Sequence, residues 1–176
     1  MKKVLIAAAM VALMASASFA AISLDVIGLT GAGNNVDQLS AAALSFGMTK
    51  DITLAIGAGT SSYTKPNGSL SRESLTVVYL NGYMTIMRKG DVSQALGLEL
   101  GYGTAGYRNG DNPTSVLKLN GNYRVAVKVT PDLSMLFDVE VLAIRQTVED
   151  PTSSNVSTSN VTILNGAKIG FSVPIF

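Results

Sequence analysis

The chain has 176 residues, with thirteen basic against twelve acidic side chains and neither cysteine nor histidine. That excludes disulfides, thiolate nucleophiles and histidine-based zinc or acid–base chemistry. The near-even charge balance gives no electrostatic case for nucleic acid. Only 14% of the residues are charged, against roughly 25% in an ordinary soluble domain. Yet after the amino terminus there is no run of about twenty apolar residues that could form a transmembrane helix.

Met1 to Ala20 has the layout of a secretory signal: Lys2 and Lys3, an apolar stretch from Val4 to Met14, then Ser18-Phe19-Ala20. Cleavage after Ala20 is expected, because the apolar stretch is short and ends in small residues. The mature part, residues 21–176, is then one domain with eleven basic side chains (thirteen minus Lys2 and Lys3) against twelve acidic.

Eight strands follow from alternation and turn chemistry. The first spans Ile22 to Leu29 and ends at Gly31-Ala32-Gly33-Asn34-Asn35. The second, Leu39 to Met48, meets the third, Ile52 to Tyr63, through Thr49-Lys50-Asp51. A longer segment, Thr64 to Glu73, is centred on Pro66-Asn67-Gly68. The fourth strand, Leu75 to Met87, turns at Arg88-Lys89-Gly90-Asp91 into the fifth, Val92 to Tyr107. After Arg108 to Pro113 comes a long hairpin, Thr114 to Gln146, whose arms turn at Thr130-Pro131-Asp132. Proline presets φ at a turn position and aspartate suits the next. The polar segment Asp150 to Ser159 leads to the eighth strand, Asn160 to Phe176. Connections therefore alternate between tight and long, which in an up-and-down barrel puts all tight turns at one end.

Alternation does not say which face meets water, since a soluble lipocalin-like barrel has the same period with its apolar face inward. The polar face decides. On the fifth strand it reads Ser93, Ala95, Gly97, Glu99, Gly101, Gly103, and on the third Thr53, Ala55, Gly57, Gly59, Ser61. These residues are too small for a water-washed surface and suit the crowded lumen of an eight-stranded barrel. Asp25, Glu99, Lys118, Arg124, Lys128, Asp138, Glu140 and Lys168 all fall on that same parity. Arg145 has the opposite parity, but it lies more than ten residues past the Pro131 turn. A crossing strand needs only about 9–11 residues, so Arg145 should sit above the hydrocarbon.

The last stretch, Lys168 to Phe176, alternates and ends on an aromatic residue, like the terminal signal read by the bacterial outer-membrane assembly machinery. Pro174 departs from that pattern; without an N–H it should make the strand fray or bulge. With signal, strand count, loop asymmetry and Phe176 together, the chain resembles the small eight-stranded outer-membrane barrels of the OmpA/OmpX type. The resemblance is architectural and covers nearly all of the mature chain. Full OmpA proteins add a peptidoglycan-binding domain, whereas this chain is expected to end at its barrel. It implies an all-β, eight-stranded, antiparallel up-and-down transmembrane β-barrel in the bacterial outer membrane. The partners implied are outer-membrane lipid, the assembly machinery and a surface ligand reached through the loops, with the barrel a monomer.

The eight lumen charges divide evenly into four acids and four bases, so a belt of structural ion pairs is expected. Placing residue 129 opposite 133 sets Arg124 opposite Asp138 and Asn122 opposite Glu140. Pairing Tyr107 with Val116 would bring Glu99 beside Arg124. Pairing Ala143 with Asn165 would set Glu140 opposite Lys168, and closure on the first strand could carry Lys168 toward Asp25. Tyr79, Asn81, Tyr83 and Thr85 share the inward parity as lumen filler. Lipid A deacylases resembling this fold use a Ser-His pair, and the chain has no histidine. Asp138 and Glu140 beside cations suit salt bridges better than acid catalysis. No catalytic, cofactor or metal site is expected. The role expected is structural or a surface interaction around a packed polar lumen. The alternatives are a narrow porin-like path for ions or small solutes and a soluble periplasmic carrier of a hydrophobic ligand.

Overall fold

The computed structural model describes residues 21–30, 39–64, 72–105, 114–149 and 156–175. The expected signal segment, the centres of the long connections and Phe176 lie outside them. Eight strands run in chain order: β1 (Ala21–Thr30), β2 (Leu39–Gly47), β3 (Ile52–Thr64), β4 (Arg72–Lys89), β5 (Val92–Ala105), β6 (Thr114–Thr130), β7 (Leu133–Glu149) and β8 (Val156–Pro174). Each pairs antiparallel with the next, and β1 pairs with β8 to close the barrel. Closure leaves no sheet edge around the paired girth, which is how an all-β chain protects its backbone. β8 starts four residues earlier than the alternation suggested, because Val156-Ser157-Thr158-Ser159 continues the ladder with β7.

The outer wall is apolar. Leu98 is 61% exposed, and Val26, Val78, Met84, Leu96, Leu100 and Phe171 are exposed with it. Leu98 stands out because both of its outward cross-strand neighbours are glycines, Gly82 and Gly121. The interior is the reverse: Asp25, Ser45, Asn81, Glu99, Asn120, Asn122, Arg124, Asp138, Glu140 and Lys168 are buried. A small apolar cluster of Ala41, Ala43, Ala55, Val77, Tyr79 and Val116 shares the interior with them.

Two inward tyrosines fit against glycines. A Cβ built on Gly97 would stand 2.5 Å from the Tyr83 ring, and one on Gly57 would overlap the ring of Tyr79. The glycines thus make room for rings that a narrow barrel could not otherwise hold. That explains part of the small-residue face of β3 and β5.

Bulges adjust the strands and correct one expectation. On β7, Val141 has no partner on β6, and the register shifts between Gly121↔Leu142 and Asn122↔Glu140. An extra residue reverses which face the following side chains take. Arg145 therefore joins the inward row with Ala143, pairs with Lys118 and Asn160, and is half-buried. Opposite this point, Leu164 of β8 has φ 54°, the left-handed region that bulky residues avoid. A second bulge at Val129 makes Thr130, not Val129, the partner of Leu133.

Pro174 does not make β8 fray. Ser23 pairs with it on β1, and the N–H of Ile175 donates to the carbonyl of Ile22 at 2.7 Å. Alternation then turns the proline nitrogen toward β7, where the ladder has already ended at Ser134↔Ser172. The missing N–H costs nothing on that side.

Candidate functional site, a charged lumen network

The register brings most of the predicted charges together, although not always by the predicted neighbours. Between β6 and β7, Arg124 pairs with Asp138 and Asn122 with Glu140, as the hairpin arithmetic required. The Arg124 guanidinium grips Asp138 with both arms, Nε to Oδ1 at 2.6 Å and Nη2 to Oδ2 at 2.7 Å. This fork geometry is among the strongest of charge-assisted hydrogen bonds. The third nitrogen, Nη1, crosses the lumen to Asp25 Oδ2 at 3.3 Å. Arg124 also lies over the Tyr83 ring, 3.9 Å from its centroid, a cation–π contact in a desolvated place.

Asp25 is satisfied from its two neighbouring strands. Ser45 of β2 donates to it at 2.7 Å and Ser172 of β8 at 2.5 Å, with Ser23 more distant at 3.4 Å. Alternation had not singled out these serines. Both Ser45 and Ser172 share the inward parity of Asp25 on strands that any closed up-and-down barrel must place beside β1. That combination was the available signal.

The second knot is built on Glu99. Here β5 and β6 pair four residues away from the expected register, so Glu99 faces Asn120 and Arg124 faces Ala95. An even slip keeps every side chain on its own face, so hydrophobic alternation is blind to it. Tyr107, on which the expected register rested, lies outside the described residues. Instead of Arg124, Glu99 accepts from Asn81 at 3.1 Å, Asn120 at 3.0 Å and Lys168 at 3.3 Å. Lys168 Nζ reaches Glu140 at 2.7 Å, and Asn120 Nδ2 also contacts Glu140 at 3.3 Å. Backbone pairing between β7 and β8 is offset by two from expectation, which sets Asp138, not Glu140, opposite Lys168. The long lysine side chain spans that offset. Lys168 does not reach toward Asp25; its β1 partner is Leu29.

Tyr83 joins the two knots. Its hydroxyl donates to Asp138 at 3.1 Å and accepts from Asn81 Nδ2 at 2.8 Å. A continuous chain of contacts therefore runs from Asp25 through Arg124, Asp138, Tyr83 and Asn81 to Glu99, Lys168 and Glu140. Pairing of this kind is what buried charges demand, because an unpaired one is strongly destabilising.

Of the two remaining expected members, Lys118 keeps its inward place and Lys128 does not. Lys118 faces the lumen from β6, opposite Gly101 and Arg145, on the long-connection side of the network. Lys128 does not join the belt. It lies past the last β5–β6 pair, its N–H donating to the backbone carbonyl of Asp91 at 2.8 Å, and it is exposed at the tight-turn rim. Strand height, which parity ignores, separates it from the others. Arg145 takes the fourth cationic place on the inward face.

Five buried polar atoms have no protein partner among the described residues: Tyr79 Oη, Asn81 Oδ1, Asn120 Oδ1 and both amide atoms of Asn122. Groups buried in this way ordinarily hydrogen-bond to internal water.

No protein-family model matches the sequence, and a search of curated proteins found no match. Solved structures do match. The N-terminal β-barrel domain of Pseudomonas aeruginosa OprF superposes with a TM-score of 0.54 at 12% identity, covering 88% of this chain and 97% of that one. Neisserial surface protein A, NspA, gives 0.50 at 13% identity, covering 86% and 93%. At such identities the likeness is one of fold: the chain has the closed eight-stranded antiparallel architecture of small outer-membrane barrels.

Proposed function

We propose that this protein spans the bacterial outer membrane as a monomeric barrel with a plugged polar lumen, and serves a structural or surface-interaction role. The observation that carries this reading is the double knot of buried ion pairs, Arg124 with Asp138 and Asp25, Lys168 with Glu99 and Glu140. Its placement across the interior, with the apolar side chains outside, suits acyl chains on the outer wall and a closed core within. It does not suit a soluble carrier, whose hydrophobic ligand would need an apolar cavity. The tight turns then face the periplasm and the long connections face outward, offering the surface for a ligand. After signal cleavage, delivery falls to the assembly machinery, which reads the alternating terminal strand.

A narrow pore is the second reading, favoured by the unpartnered Oδ1 atoms of Asn81 and Asn120 and the unpartnered side-chain amide of Asn122. Water at those groups would have to connect past the Arg124–Asp138 level. Single-channel recording in planar bilayers separates the two. The plugged reading expects no reproducible conductance steps from the folded wild-type barrel, and their appearance would overturn it.

A further inference from the structure

The outer wall carries a groove of about 390 Å³ between β3, β4 and β5, walled by Ile52, Met84, Leu96 and Leu98 and floored at Gly82. A Cβ at Gly82 would touch only the Leu54 side chain, at 3.6 Å, so the missing side chain is what opens the space. From this groove the exposed Ile86 and Met87 continue the apolar surface toward the tight-turn rim. There three cations gather. Lys50 and Lys89 are exposed, and Arg88, which a bulge at Ile86 sets opposite Ser93 on the inward row of the rim, donates a hydrogen bond to the Lys50 carbonyl and so draws the β2–β3 and β4–β5 turns together. Asp51 and Asp91 are the acids nearby. Lys50 contacts Asp51 only at 4.0 Å, with both side chains well exposed, a surface pair worth little.

From Gly82 to Arg88 six steps at the usual rise cover about 20 Å along the strand, roughly 15 Å of depth at a barrel tilt of about 40°, and the long basic side chains add to that reach. That compares with a half-thickness of roughly 15 Å for the hydrocarbon core plus the step to the headgroup. We propose that this face is a binding site for one anionic phospholipid of the periplasmic leaflet, its acyl chain in the Gly82 groove and its phosphate among Lys50, Arg88 and Lys89. The inference rests on the membrane reading above, which supplies both the lipid and the direction. An apolar groove continuous with the lipid-facing wall is filled by an acyl chain, and the cations at its foot select the headgroup. Long basic side chains at a strand end reach into the headgroup layer while their stems stay on apolar surface.

The test is native mass spectrometry of the full barrel, released in mild detergent from vesicles with equal phosphatidylglycerol and phosphatidylcholine of identical chains. Wild type is expected to retain phosphatidylglycerol over phosphatidylcholine by about fivefold or more, the effect of at least one cation at an anionic surface. The triple substitution Lys50→Gln, Arg88→Gln, Lys89→Gln should bring that ratio to about one, by the same argument. Gly82→Leu fills the groove and should lower retention of both lipids without changing their ratio. Equal retention of the two lipids by wild type, or an unchanged preference in the triple variant, would overturn the site. So would wild-type retention by folded Gly82→Leu; if that variant does not fold, the rim substitutions, on exposed side chains, decide alone. A barrel that does not enter vesicles at all would sink the membrane reading and the site with it, whereas an inserted barrel without lipid preference sinks the site alone.

Discussion

Replacing Arg124 with methionine keeps much of the side-chain volume and removes the guanidinium. Asp138, 3% exposed, would lose bonds of 2.6 and 2.7 Å and keep the Tyr83 hydroxyl at 3.1 Å. Asp25 would lose a 3.3 Å contact but keep the Ser45 and Ser172 hydroxyls. Asp138 is therefore the stranded group. Removing one partner of a buried pair costs about 3–5 kcal/mol, and the lost stacking on Tyr83 adds on the order of 1 kcal/mol. A loss of about 4 kcal/mol is therefore expected. Adding Asp138→Leu to Arg124→Met removes the stranded carboxylate, and should recover at least about 2 kcal/mol of it as coupling energy. Urea unfolding of the barrel in phospholipid vesicles, with the folded fraction read from the gel mobility of unheated samples, measures both. A single mutant within about 1 kcal/mol of wild type, or a double mutant equal to the sum of the singles, would refute the network as a structural tie.

The Tyr83 ring, held by Arg124 and Asp138, cannot readily move away from Gly97. Gly97→Ala should therefore destabilise by about 1–3 kcal/mol, as overpacking does, and the same unfolding assay would show no change if the ring shifts freely. Leu98→Arg places a cation on the outer wall between Gly82 and Gly121. In vesicles it should cost roughly 2–4 kcal/mol near mid-depth, whereas an unchanged midpoint would mean that Leu98 faces water.

The strand count, the closed up-and-down order and the orientation of nearly every side chain were legible in the sequence. Period-two alternation separates two faces, and the small residues of β3 and β5 identify which of them is crowded. Asp25, Glu99, Arg124, Asp138, Glu140 and Lys168 could be assigned to the lumen on that ground alone, because one face of a strand stays one face whatever its partner's register. Arg124 and Asp138 could even be paired, since a tight turn at Pro131-Asp132 counts the residues between them.

Register across the long connections was another matter. Glu99 meets Asn120 and Lys168, not Arg124, because an even slip leaves the alternation intact while moving every cross-strand neighbour. Arg145 turned inward because one bulge at Val141 reversed the faces beyond it, and nothing in the alternation marks a bulged residue. Height along the barrel left Lys128 exposed at the tight-turn rim, and contacts across the lumen joined Arg124 to Asp25. Sequence period reports which side of a wall a residue stands on; only the closed sheet, through its register, bulges and curvature, decides whom it faces.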